Sequence, residues 1–129
     1  YNIFIAGGVG INPLFPMVQQ LAFCSTPRAV VLYSAKVRDE LLFAETLDEL
    51  AALQPERFEI RYRTTCQNNG ERFDRHAIAE ALSWLRRDDE HVCMSNVETY
   101  CCGPKGMPEA IVEECVACGI PRHAIKYEK

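Results

Sequence analysis

Apolar positions along this chain follow two rhythms, and the switches between them mark its elements. Residues 2–6 are an apolar run, a predicted strand, that ends in Gly7-Gly8-Val9-Gly10. From residue 13 to about 24, Leu14, Val18, Leu21 and Ala22 recur at helical spacing and predict a helix with one buried face. Ser25-Thr26-Pro27 breaks it. Residues 29–34 are almost continuously apolar, as expected of a strand covered on both faces. A helical pattern, with Asp39 as a candidate cap, runs to about residue 53 through Leu42, Leu47, Leu50 and Leu53. Residues 58–63 then alternate apolar with polar, which predicts a strand with one face partly wet, as at a sheet edge. Residues 64–72 are polar and carry the turn signal Asn68-Asn69-Gly70. Asp74 is placed to cap a helix through about residue 87 that buries Ile78, Ala81, Leu82 and Leu85, with Trp84 at its margin. A charged connector over 86–90 leads on to a strand at 98–102. The last helix is expected over 105–118, with Gly119 as its C-cap and Pro121 as a stop, and the last strand over 124–128.

Strand and helix alternate throughout. This predicts an α/β fold over residues 1–129: one doubly wound, five-stranded parallel sheet, order 3-2-1-4-5, with helices on both faces. In such sheets ligands bind outside the carboxyl ends of the strands, near the point where strand order switches. The turns after strands 1 and 4 would be neighbours there. The first is Gly7-Gly8-Val9-Gly10-Ile11-Asn12-Pro13, with Asn12 suited to cap a helix and Pro13 to be its first residue. The second is Cys102-Gly103-Pro104-Lys105-Gly106-Met107. A glycine turn that feeds a helix lets a phosphate approach backbone N–H groups at the positive end of the helix dipole. The glycine spacing matches neither the Rossmann fingerprint nor the Walker loop. Two such turns facing each other point to a dinucleotide more strongly than either alone.

Composition narrows the reading without changing it. The chain has 129 residues, 48% apolar and 25% charged, as expected of one globular domain with a real core. A net charge of −4 argues against nucleic acid as a partner. No apolar run approaches the roughly 20 residues that span a bilayer. No leader precedes the first strand, and the chain is expected to be a piece of a longer protein. Seven cysteines in no disulfide-scaffold pattern suggest an intracellular, reducing compartment, with a mitochondrial one compatible. Cys115 and Cys118 lie inside a predicted helix with no second pair to complete a zinc site, so both are expected in packing roles. His76, His91 and His123 have no partners at metal spacing, and no metal is expected.

Three motifs in order, each at a strand end, resemble the pyridine-nucleotide domain of the ferredoxin–NADP reductase superfamily. They are the Gly7–Pro13 turn, Tyr33-Ser34-Ala35-Lys36 with Asp39-Glu40-Leu41-Leu42-Phe43 close behind, and Cys102-Gly103-Pro104-Lys105-Gly106-Met107. The resemblance implies half of a two-domain flavoenzyme that passes hydride from NAD(P)H to FAD. An upstream barrel would hold the FAD in cis, this fragment would be inactive by itself, and the electron acceptor is left open. It also implies that the first turn lies beside the pyrophosphate and nicotinamide, with Gly7, Gly8, Val9, Gly10, Ile11, Asn12 and Pro13 as cofactor contacts. Ser34, Thr64, Thr65, Arg72, Gly103, Pro104, Lys105 and Met107 complete the cofactor set. Cys102 is the catalytic candidate near nicotinamide C4, whereas Cys101 alternates to the opposite side of its strand and is expected in the core.

Two departures bear on strength and specificity. Val9 and Asn12 stand where relatives have threonine, and a valine offers no hydroxyl to the nicotinamide. Relatives that use NADPH often place Ser-Arg after the third strand. This chain has Thr64-Thr65, with Arg63 one position early, so NADH is expected over NADPH. Lys36 and Arg72 are within reach of a 2′-phosphate but otherwise read as surface charge. The alternatives are a module that senses nucleotide without catalysis, and a structural domain whose glycines serve geometry alone.

Overall fold

A computed structural model describes residues 1–24, 28–65, 73–88 and 93–128. Five strands form one parallel sheet: β1 (Asn2–Gly7), β2 (Ala29–Ala35), β3 (Phe58–Thr64), β4 (Glu98–Cys102) and β5 (Ile125–Glu128). Their spatial order is β3-β2-β1-β4-β5, as the alternation of elements predicts. The crossovers carry α1 (Ile11–Ala22), α2 (Ala44–Leu53), α3 (Arg75–Leu85) and α4 (Met107–Ala117). The strand expected at an edge, β3, is at an edge, and five of its seven residues are only half-buried.

Because side chains alternate along a strand, the sheet feeds two separate cores. Phe4, Ala6, Val31 and Tyr33 pack toward Ile11, Leu14 and Val18 of α1 and Leu47 of α2. Ile3, Ile5, Val30 and Leu32 pack toward Ile78 and Leu85 of α3 and Ile111 and Cys115 of α4. Each fully buried aliphatic side chain is worth about 1.5–3 kcal/mol, so both layers are needed for a stable domain. Cys101 joins the α3/α4 layer, and Cys102, one residue on, is half-buried toward the α1/α2 layer.

Helix ends are well explained. The Asp74 carboxylate accepts the Ala77 amide at 3.0 Å and caps α3 as expected. Phe73, just before that cap, is buried with Ile78 in the α3/α4 core, an apolar pair that fixes how the chain enters α3. At the far end of α4, Gly119 adopts a left-handed φ of 99°. The Ile120 amide bonds back to the Cys115 carbonyl and that of Gly119 to Val116, closing the helix in a Schellman motif.

Three expected boundaries move. α1 begins at Ile11, not Pro13, and Asn12 does not cap it, since no side chain caps this helix. A 3-10 turn over Gly8–Gly10 runs straight into α1 and brings its start forward. Pro13 becomes the third helical residue, where an amide proton is not needed for the helix. The second helix does not run from Asp39. Arg38–Glu40 is a separate 3-10 turn, and Phe43 has a φ of 64°, which no α-helix admits, so α2 starts at Ala44. Phe43 is held there by stacking on Phe15 of α1, with ring centroids 4.1 Å apart. Leu42 and Leu53, expected on the buried face, are exposed, and Leu47 is the fully buried leucine of α2. α4 starts at Met107, two residues late, because Gly106 has a φ of 89°.

Candidate functional site

The site is built where β1 and β4, adjacent strands whose following helices lie on opposite faces, end side by side. Ala6 is paired with Cys102, and the two glycine turns leave the sheet from there. They touch through backbone. A Cβ on Gly10 would fall inside the contact distance of the Cys102 carbonyl oxygen, so the first turn lies directly on the end of β4. Gly8, with a φ of 57°, supplies the left-handed bend that makes this approach. Val9, at the turn's tip, is 75% exposed.

The first turn offers fewer donors than its glycines suggest. The Ile11 amide is given back to the Gly8 and Val9 carbonyls, and Pro13 has no amide proton. In the second turn the Met107 amide is taken by the Pro104 carbonyl at 3.0 Å, and Pro108 follows it. The dipoles of α1 and α4 still converge on the join, but each helix has a donor missing from its opening turn.

Ser34, the last but one residue of β2, pairs with Gly7 beside the join, and its hydroxyl donates to the Ala6 carbonyl at 3.4 Å. From Ser34 a cavity of about 260 Å³ extends along the α3/α4 side. Phe73, Pro104, Lys105, Met107 and Ile111 line it, so it has an apolar wall and a cation at its rim. The motifs supplied Ser34, Pro104, Lys105 and Met107, but not Phe73 or Ile111. The signal for Phe73 was an apolar residue immediately before the Asp74 cap. Ile111 sits one helical turn beyond Met107 on α4 and so faces the same cavity.

Cys102 lies at the same end of the sheet but toward the α1/α2 layer. Cys101 is 1% exposed, and burial pushes its thiol up to about 12, with Cys102 and Glu109 adding to the rise. Of the adjacent pair, Cys101 is therefore a neutral core thiol. Cys115 is likewise buried and raised to about 12 by burial, and the half-buried Cys118 thiol donates to the Arg75 carbonyl at 3.4 Å, so this pair packs rather than binds. Among the described residues no cluster could hold a metal ion, and no helix is long and apolar enough to cross a membrane.

The remaining candidates lie at the end of β3. Thr64 is buried, and the Thr65 amide donates to the Ala35 carbonyl at 2.8 Å, so both threonines serve the sheet end. Arg63 turns to the α3 side, its guanidinium 5.2 Å from the centroid of the Phe73 ring and bonded to the Tyr62 carbonyl. Lys36 is exposed. Arg72 lies outside the described residues.

Comparison with known proteins shows the family and the fold. The family model described as "Oxidoreductase NAD-binding domain" matches residues 4–113. NADH-cytochrome b5 reductase 1 of Candida glabrata is 28% identical over 121 residues, which cover 92% of this chain and 41% of that protein. Oxidoreductase NAD-binding domain-containing protein 1 of Bos taurus is 31% identical over 139 residues, covering 98% of this chain and 45% of that protein. The chain thus spans less than half the length of either. Among solved structures, the cytochrome b5 reductase domain of Ulva prolifera nitrate reductase superposes with a TM-score of 0.78. It is 21% identical and is matched over 98% of this chain and 48% of that one, a likeness of fold.

Proposed function

This chain belongs to the oxidoreductase NAD-binding domain family, and on that premise we propose that it is the NADH-binding half of a flavin-dependent oxidoreductase. The observation that carries the reading is the backbone join of the two turns, with Gly10 seated on the Cys102 carbonyl at the point where strand order switches. Bound there, the reduced nicotinamide supplies a hydride, which a flavin held by a partner domain in cis accepts.

The residues divide the work along the nucleotide. The cavity beside Phe73 and Pro104 suits a flat adenine, and Lys105 at its rim suits the adjoining phosphate. The pyrophosphate crosses the join, where the two helix dipoles converge. The nicotinamide then reaches the α1/α2 side, with Val9 and Cys102 beside it. Cys102, half-buried at a strand end, would hold the ring in place by contact.

Arg63 supports NADH over NADPH. The one arginine of the β3 end in the described residues is already stacked on Phe73 and bonded to Tyr62, and Thr64 and Thr65 bring no charge. A 2′-phosphate wants a planar, charged fork, and among the described residues the Arg63 guanidinium at this strand end is already engaged by Phe73 and Tyr62. The shortage of amide donors favours modest affinity and keeps a second reading open, a module that senses NADH without turning it over.

The test is titration with NADH and NADPH followed by thermal unfolding. A ligand at ten times its dissociation constant stabilises the fold by about 1.4 kcal/mol. In a domain of this size that is a rise in melting temperature of roughly 3–6 °C. NADH is expected to give it at lower concentration than NADPH. No response to either at millimolar levels would overturn the site, and a stronger response to NADPH would overturn the preference alone.

A further inference from the structure

Five glycines lie in the two turns, and they are glycines for different reasons. Gly8 and Gly106 need a left-handed φ, and Gly10 makes room for the Cys102 carbonyl. Gly7 and Gly103 have neither reason. Gly7 sits at φ −122° and ψ 123°, which any residue adopts, and Gly103 is not among the glycines with positive φ. The atom that a side chain at either would displace first is the same one, although the Pro104 ring also crowds Gly7 at 3.1 Å. A Cβ on Gly7 would stand 2.5 Å from the Met107 sulfur, and a Cβ on Gly103 would meet the same sulfur closer still.

Met107 reaches this point from the first residue of α4 and is half-buried. Its sulfur lies against the end of β1 and the start of the second turn at once, while the same side chain walls the cavity. An unbranched thioether fills an irregular gap of this kind without strain.

We infer that Met107 is a positioning residue: its sulfur is the spacer that sets the two turns apart, and Gly7 and Gly103 are glycines to admit that sulfur rather than to admit a phosphate. The consequence for NADH rests on the function proposed above; the spacer role itself does not.

The test is a cycle of Gly103→Ala and Met107→Ala in the whole chain, with Met107→Leu alongside. Melting temperature without ligand is read first. NADH affinity is then read well below the melting point of every variant, where all are folded. Gly103→Ala alone is expected to lower the melting temperature by what displacing the Met107 side chain costs; in the Met107→Ala background it should cost less, because that neighbour is gone. Met107→Ala should weaken NADH about tenfold, the equivalent of 1.4 kcal/mol, although the protein remains folded. Adding Gly103→Ala should then change affinity less than about twofold, and Met107→Leu, which keeps the volume, should stay within a few-fold of the parent. If Gly103→Ala does not fold, its folding in the Met107→Ala background decides: recovery supports the spacer, and failure in both backgrounds overturns it.

Equal damage from Gly103→Ala in both backgrounds would overturn the spacer. Unchanged affinity in Met107→Ala would overturn the positioning role. If the parent chain itself binds no NADH, the proposed function falls, while the melting half of the cycle still decides the spacer.

Discussion

Two adjacent cysteines occupy opposite worlds at the end of β4. Cys101 is sealed in the α3/α4 core, where burial keeps its thiol protonated, and Cys102 emerges at the join. If Cys102 holds the nicotinamide, Cys102→Ala in the chain joined to the proposed flavin domain should slow hydride transfer about tenfold or more. NADH affinity should stay within a few-fold, the pattern of an interaction used mainly in the transition state. Stopped-flow reduction of the flavin checks the rate, and equal losses in rate and affinity would return the residue to packing. This pair was readable from strand alternation alone. The glycines were not. Their spacing marks a turn, but only the fold brings the Met107 sulfur against two of them and the Cys102 carbonyl against a third. Phe73 escaped notice for a related reason: its neighbours in the cavity come from β2 and α4, remote in sequence.

Elements followed the apolar pattern wherever one face alone decided them. β2, buried on both sides, and α3, with its Asp74 cap, are where the pattern puts them. Asp74→Ala should cost α3 about 1 kcal/mol. Thermal melting should register that as a fall of roughly 3–4 °C, with NADH affinity unchanged if the cap serves the helix only. Boundaries moved where a single left-handed residue overruled a helical pattern. Phe43 is the sharpest case, since its conformation costs on the order of 1–3 kcal/mol and is set by a ring on another helix. No local signal contains that contact. The start of α1 likewise follows from where the Cys102 carbonyl lies, not from the capping tendency of Asn12.

At the scale of the whole molecule, strand order was legible because the crossover rules leave few arrangements open. Function was legible only as far as the ends of β1 and β4. The described residues form one parallel sheet whose two glycine turns meet at one join, and in the proposed reading a single dinucleotide uses both. A flavin needs a pocket of its own, and hydride transfer needs the flavin held at near-contact distance. Purified by itself, the chain is therefore expected to bind NADH yet be colourless and leave ferricyanide unreduced above the uncatalysed rate. A yellow, active preparation of these 129 residues would contradict that division of labour.

The order of the strands also governs when the site comes into being. β1 is made first, and its neighbour on one side, β2, follows after a single crossover, so the α1/α2 layer has its parts early. Its neighbour on the other side is β4, and Asn2 pairs with Glu98. Closing so long a loop is slow, since its entropy is lost before any contact rewards it. During synthesis the first glycine turn waits, without the carbonyl it rests on, until Cys102 at the end of β4 has been made. The join is thus assembled only once β4 is in place, and a nascent chain halted before β4 would carry every residue of the first turn and no join.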